Sequence, residues 1–474
     1  MRVTFLGYIF FDKIRREMQA RLFETLVQDG DGGEMAAVFR DSAFGKNKDL
    51  PLHRWVPWVA GFSADFVEDC IEWYIPPTKS KENVWVLDPF AGVGTTLVES
   101  YRRGLNVIGF EINPYAALAS RLKLQARRIS TQKLASQIEA FERFMASNCP
   151  DGFPVSGQPQ SRAPNGFNGR TELFNPVVEK RVLFALDFIN ALEDGRLRDL
   201  FKLALGSVIV SVSNYSYEPS LTRRASVGKA PIVDAPVTKV VVAKLRLMLA
   251  DIDWMQKQVR RLDHLPEGKV IQDSIFSAKE VLGRTRFVDL VITSPPYLNN
   301  YHYPRNTRPQ LHWLGFATQA GYGEGRETDS FGKFWQTVRG LPLIDLTFSL
   351  PELSEIIDRV RTLNVEKGAY GGTGWANYIA TYFNDTYRFC GILKQLLDRG
   401  GVAVIVIGNS IIQGVEVKTD QLFGEIANLS GLKFEDNWLL RKKRTGSSII
   451  QSSVRVDKAT EKTVLYESAI VLRK

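Results

Sequence analysis

The sequence predicts an α/β protein built on a doubly wound parallel sheet that carries a mainly helical insertion. Three observations predict it. The apolar run Val84-Trp-Val-Leu87 and the run Asn106–Phe110 flank a helical stretch, as in a βαβ unit. Strand signals return at Lys269–Ile271, Val288–Thr293 and Val402–Ile407, so strand and helix alternate on both sides of a long interruption. The first of these strands also runs straight into a turn with Gly92 and Gly94, where such sheets open a ligand crevice.

In chain order, Ile14, Met18, Leu22 and Leu26 recur at helical spacing over residues 12–28, and the Gly-rich stretch Asp29–Gly33 ends that helix. Ser63 is placed to cap a helix from Ala64 through Ile71 that leads into the first strand. Residues 130–265 interrupt the alternation with helical patterning, split by a Pro- and Gly-rich surface loop at 150–169. The expected organisation is a helical extension over 1–50, a sheet-based body over 51–128 and 266–474, and an insertion over 129–265. Internal repeats and low-complexity tracts are absent from the sequence.

With 474 residues and 44% hydrophobic content, the chain can fill a substantial core. Its formal charge of +9 favours a polyanionic partner. Cys70, Cys149 and Cys390 are widely spaced and form no group with the four histidines, so neither a disulfide framework nor a metal site is expected. The N-terminal apolar stretch is followed by Asp12, Lys13, Arg15 and Arg16 without a small-residue cleavage site, and no apolar run reaches the ~20 residues needed to span a bilayer. The expectation is a cytoplasmic protein with no membrane partner.

Four segments carry chemistry. Residues 87–96 read Leu-Asp-Pro-Phe-Ala-Gly-Val-Gly-Thr-Thr, a strand end passing into a helix; Gly92 and Gly94 allow a ligand close to the backbone, and helix-start amides can meet a carboxylate. Roughly 20 residues on, Glu111 ends the next strand, where an acid can take both ribose hydroxyls of a nucleoside cofactor. Asp273 follows the third strand, placed to accept from an adenine amine. Finally Thr293-Ser-Pro-Pro-Tyr297 follows an apolar strand. Two prolines stop the ladder and make a rigid loop that can aim a side-chain oxygen and a backbone carbonyl at one amino group, with Tyr297 as a flat face for an extruded base.

Together these segments resemble the amino-group DNA methyltransferases, cytosine-N4 and adenine-N6, over roughly residues 53–128 and 266–474. The resemblance implies a Rossmann-like methyltransferase sheet and S-adenosylmethionine as cofactor. Asp88, Phe90, Gly92, Gly94 and Thr95 fall in the cofactor loop, Glu111 at the ribose, Asp273 at the adenine, and Ser63, with Gly61, Phe62 and Val67, on the helix that closes over the methionine end. Ser294, Pro295, Pro296 and Tyr297 match the catalytic loop, and Leu397–Gly401 with the strand to Ile407 match the fifth strand. Serine at the first catalytic position is more typical of cytosine-N4 enzymes. The implied partner is double-stranded DNA with its target base flipped, in a prokaryotic restriction-modification setting with a cognate restriction endonuclease.

The reaction asks little covalent chemistry of the protein: Ser294 and the Pro295 carbonyl accept from the amine while it is held in line with the methyl carbon. Cytosine C5 chemistry would need an activated thiol, and the only cysteine beside a proline, Cys149, falls in the insertion. Adenine-N6 methylation, RNA base methylation and a non-catalytic DNA-binding role are the alternative readings. Phosphate contacts are expected from Arg305 and Arg308, which lie among Tyr301, Tyr303, His312 and Trp313, and from Arg441-Lys442-Lys443-Arg444. Target reading is open between Asn214–Arg224 in the insertion and residues 298–375.

Overall fold

The computed structural model describes residues 39–40, 44–58, 61–155, 157–165, 172–218, 220–298, 303–317, 329–442 and 463–474. The helix expected over 12–28 and the cations Lys443 and Arg444 lie outside them, as does the side chain of Lys442.

Helix α1 (Ala64–Tyr74) precedes strand β1 (Trp85–Asp88), helix α2 (Thr95–Arg102), strand β2 (Asn106–Phe110) and helix α3 (Pro114–Gln125). The insertion supplies α4 (Thr131–Asn148), α5 (Pro176–Ala191) and α6 (Gly195–Val208), the hairpin β3 (Tyr215–Tyr217) and β4 (Leu221–Arg223), and α7 (Val237–Val259). The sheet resumes with β5 (Gly268–Ile271) and β6 (Val288–Thr293), followed by the short helix α8 (Arg308–Trp313), α9 (Pro351–Arg361), α10 (Gly372–Leu396) and strand β7 (Leu397–Gly408). A small hairpin, β8 (Ser410–Ile412) and β9 (Val415–Val417), leads to α11 (Thr419–Leu429), β10 (Lys433–Lys442) and β11 (Tyr466–Arg473).

The main sheet has seven strands in the order β10-β11-β7-β6-β1-β2-β5. Six of them run in the same direction, and β11 alone is antiparallel to both its neighbours. With helices on both faces, this is the Rossmann-like methyltransferase arrangement. The chain order reverses at β1, so the C-terminal ends of β1 and β6 face the crevice where a doubly wound sheet binds its ligand.

Burial on both faces explains why the central strands read as unbroken apolar runs. Val86, Val107, Leu290, Ile292, Val402 and Val404 point to one side, into a core shared with α1 to α3 and with the insertion helices α4 to α7. Leu87, Ile108, Val291, Ala403 and Ile405 point to the other, beneath α9, α10 and α11. The insertion thus shares one continuous core with the sheet.

Two boundaries differ from the sequence expectation for local reasons. Strand β1 starts one residue later because the Val84 amide closes a turn onto the Lys81 carbonyl. Strand β7 begins at Leu397, before the apolar run from Val402: Gly401 lies so close to β6 that a Cβ there would sit 2.8 Å from the Val288 carbonyl oxygen, so the glycine permits strand contact.

Candidate active site

The turn after β1 is shaped by its glycines and fastened from behind. Gly92 (φ +50°) and Gly94 (φ +86°) occupy left-handed backbone, and Gly94 caps α2. On α3, Ser120 Oγ donates to the Gly92 carbonyl (2.7 Å) and the buried Lys123 Nζ to the Val93 carbonyl (2.7 Å). With its carbonyls occupied from behind, the loop keeps a fixed shape. Burial holds the Lys123 ammonium down to about 7, while nearby Asp251 pulls it upward. A Cβ on Gly92 would lie 3.2 Å from the indole nitrogen of Trp58, which covers the loop.

Two acids flank this turn. Glu111, half-buried just past β2, accepts from the Gly92 amide (2.8 Å) and the Asn113 amide (2.7 Å). Burial pushes its carboxyl up to about 7, against those amide bonds, and the charge of Asp88 adds to the rise. Asp88 is buried, accepts from the Phe90 amide (3.1 Å) and from Thr293 Oγ1 (2.7 Å), and is pushed up by burial to about 6. Thr293 ends β6, so this hydrogen bond joins the strand that leads into the glycine turn to the strand that carries the Ser-Pro-Pro-Tyr loop. Thr96 Oγ1 makes a second tie to the Ile292 carbonyl (3.1 Å), and Thr95 is buried at the start of α2.

The loop Ser294–Tyr297 therefore emerges beside the glycine turn. Ser294 is half-buried, its Oγ 3.5 Å from the Tyr297 hydroxyl; Pro295 is buried, and the Pro296 carbonyl accepts from Tyr382 Oη at 3.0 Å. Tyr382 belongs to α10, where neither periodicity nor motif marks it as functional. Its role here follows only from packing.

At the far end of the crevice Asp273 is half-buried and accepts from the adjacent Ser274 amide (2.8 Å). An aromatic wall stands nearby: Phe90 meets Phe331 and Phe389, each at 5.3 Å, and Phe331 meets Phe276 (6.4 Å) and Tyr382 (5.3 Å). Arg388 lies over the Phe276 ring at 4.1 Å. Of these groups, sequence reasoning picked out only Phe90 and Asp273; the others come from helices and loops without a recognisable pattern. Ser63 caps α1 by accepting from the Phe66 amide (3.1 Å), as its spacing predicts, and is buried.

The residues around this crevice fit S-adenosylmethionine. A glycine turn with left-handed backbone, an acid at the end of β2 able to take hydroxyl donors, and an aromatic wall beside Asp273 offer contacts of the right chemistry for its amino acid, ribose and adenine parts. When bound, the cofactor supplies an activated methyl group.

The insertion also reaches the site. Asp251 on α7 is buried and accepts from the Leu52 amide (2.8 Å), Trp55 Nε1 (3.0 Å) and the Arg54 guanidinium (2.6 Å). It thereby fixes the segment that continues to Trp58 over Gly92. Beside it the buried pair His53 and Glu99 share a 2.9 Å hydrogen bond, and Arg102 and Arg103 also contact Glu99. Although burial pushes Glu99 upward, the His53 hydrogen bond and these cations hold it down at about 2.

The expected phosphate contacts are placed unevenly. Arg305 is exposed and Arg308 half-buried on the segment after the Ser-Pro-Pro-Tyr loop. His312 and Trp313, which the sequence groups with them, turn inward; Trp313 packs against Phe174 at 4.7 Å, so they serve the core. Tyr301 lies outside the described residues, as does the side chain of Tyr303. Arg441 is exposed near the end of β10 and pairs with Glu467 at 2.5 Å. All three cysteines are buried, and burial raises each thiol, Cys149 to about 11, which leaves no ready thiolate for C5 chemistry. Among the described residues no cluster of His, Cys, Asp or Glu could hold a metal, and no helix is long and apolar enough to cross a membrane.

Residues 13–121 match the family model described as DNA methylase, for N6 and N4 enzymes. The chain is 26% identical to the type II methyltransferase M.BsoBI of Geobacillus stearothermophilus, over 57% of this chain and 54% of that protein, so the match spans about half of that relative. It is 22% identical to the type II methyltransferase M.AvaI of Nostoc sp., over 86% of this chain and 84% of that one. Among solved structures, the rRNA methyltransferase aviRa of Streptomyces viridochromogenes aligns over 92% of this chain and 96% of its own at 10% identity, with a TM-score of 0.28, too low to argue from.

Proposed function

We propose that this protein is an S-adenosylmethionine-dependent amino-group DNA methyltransferase that methylates the exocyclic N4 amine of cytosine in double-stranded DNA, a reading supported by its similarity to the DNA methylase family model and to type II methyltransferases. One observation carries the reading: the Thr293–Asp88 hydrogen bond of 2.7 Å holds the Ser-Pro-Pro-Tyr loop against the glycine turn, so an amine acceptor and a cofactor cradle share one crevice.

In this reading Glu111 takes the ribose hydroxyls, and Asp273 the adenine amine. Asp88, Phe90, Gly92, Gly94 and Thr95 shape the loop, and Ser63 holds the helix that closes over the methionine end. Ser294 Oγ and the Pro295 carbonyl accept from the target amine, draw its lone pair out of conjugation and hold it in line with the methyl carbon. Tyr297 offers a ring for the base lifted out of the duplex, and the hydrogen bond from Tyr382 to the Pro296 carbonyl stiffens the loop. Serine at position 294 favours cytosine over adenine. The similarity to type II methyltransferases supports a restriction-modification setting, and in this reading the protein acts in the cytoplasm beside a cognate endonuclease.

The test is to incubate the protein with unmethylated DNA and S-adenosylmethionine, digest to nucleosides and identify the product by mass spectrometry. N4-methylcytosine is expected. N6-methyladenine would overturn the base assignment while leaving the cofactor site and loop roles standing, and the absence of any methylated nucleoside would overturn the activity.

A further inference from the structure

The hairpin β3–β4 and the segment after the catalytic loop read in the sequence as competing places for DNA contact. In the structure they are bolted together. Tyr217 Oη donates to the Asn306 carbonyl (3.1 Å), the Leu221 amide donates to Asn306 Oδ1 (2.9 Å), and Gln310 Nε2 reaches the Gly206 carbonyl (3.1 Å) and Tyr217 Oη (3.4 Å). The next residue, Thr307, accepts from Asn113 Nδ2 (2.7 Å), and the Asn113 amide donates to Glu111. The base of the hairpin is fixed as well: the Arg224 amide meets the Asn214 carbonyl (3.0 Å), and Asn214 Oδ1 accepts from the Ile232 amide (2.9 Å). A continuous set of hydrogen bonds thus links hairpin, post-catalytic segment and cofactor acid.

This surface carries cations that the fold does not neutralise. Lys229 pairs with Glu218, but Arg223 on β4 and the exposed Arg305 have no carboxylate within ion-pair reach among the described residues. A two-stranded ribbon also has the width that a DNA major groove admits.

We propose that the β3–β4 hairpin and residues 305–308 form one rigid DNA-docking face, in which Arg223 and Arg305 hold backbone phosphates and the hairpin lies along the duplex beside the target base. The proposal rests on the DNA methyltransferase reading and adds the surface that positions the substrate. Asn306 acts as a positioning residue: it touches no substrate and keeps hairpin and loop in register.

The experiment measures duplex affinity by fluorescence anisotropy across a salt series, cofactor affinity by calorimetry, and KM for DNA, for the wild type and for Arg223→Ala, Arg305→Ala and Asn306→Ala. Each arginine variant is expected to bind DNA about tenfold more weakly and to lose about one unit of salt dependence, with cofactor affinity unchanged; Arg223→Lys restores the salt dependence. Asn306→Ala is expected to raise KM for DNA while keeping the wild-type salt dependence. Arg284, which lies over Trp85 near the opposite ends of the strands, supplies the control, Arg284→Ala. A wild type that methylates DNA, with both arginine variants matching it in affinity and salt dependence, overturns the proposal and leaves the methyltransferase reading intact. A wild type that methylates no DNA overturns that reading, and the proposal with it.

Discussion

Thr293 Oγ1 donates a 2.7 Å hydrogen bond to the buried carboxyl of Asp88, across 205 positions of sequence, and so ties the strand that presents the Ser-Pro-Pro-Tyr loop to the strand that presents the glycine turn. Thr293→Val keeps the volume and removes the donor. Asp88 then keeps its buried acceptor with one partner fewer, which costs about 1–3 kcal/mol. Urea denaturation should show that loss, and cofactor affinity should fall with it. Unchanged stability together with unchanged affinity would mean that the two strand ends hold their places without this bond.

Ser294 and Gly92 should separate chemistry from binding. Ser294→Ala removes an acceptor for the amine and should lower single-turnover rates by an order of magnitude or more while cofactor affinity stays near the wild-type value. Gly92→Val forces a branched side chain into left-handed backbone, its Cβ 3.2 Å from Trp58, and should abolish cofactor binding in calorimetry. Equal loss of turnover and cofactor affinity in Ser294→Ala would remove Ser294 from its catalytic role.

Cofactor binding should depend on pH through Glu111. Its carboxyl titrates at about 7 because of burial, and the ionised form is the one able to accept from both hydroxyls. Below that pH the acid is protonated and binding must expel the proton, so affinity should weaken as the pH falls and level off above it. Without cofactor the sign reverses for stability: the unfolded chain ionises near 4.5 and the folded one near 7, so this group's contribution to stability falls as the pH rises through that window. Calorimetry in buffers of different ionisation enthalpy reads the proton release directly. A flat profile in the wild type, or an unaltered one in Glu111→Gln, would exclude the role.

Asp251 should matter to a site it does not line. It collects donors from Leu52, Arg54 and Trp55, and Asp251→Ala leaves these without their buried acceptor, at a cost of about 3–5 kcal/mol. Because the same segment continues to Trp58, cofactor affinity should drop as well. A stability loss with affinity preserved would show that Trp58 keeps its position over Gly92 without this anchor.

What the sequence determined by itself is local. Left-handed backbone at a strand-to-helix turn calls for glycine, a double proline ends a strand, a serine caps a helix, and strands buried on both faces read as apolar runs; each demand is met within a few neighbouring residues, so Gly92, Gly94, Ser294–Tyr297, Ser63 and the central strands were legible. Gly401 shows the limit, since the same residue type that breaks a strand also lets two strands approach. Only the tertiary structure decided that Asp251 in the insertion anchors the segment that continues over the glycine turn, that Phe276, Phe331 and Tyr382 stand beside the crevice, and that the hairpin and the segment at Asn306 are joined by hydrogen bonds. These contacts join segments tens to hundreds of residues apart, and no periodicity or spacing records which buried carboxylate a distant amide will find when seven strands and two helical layers close around a common core.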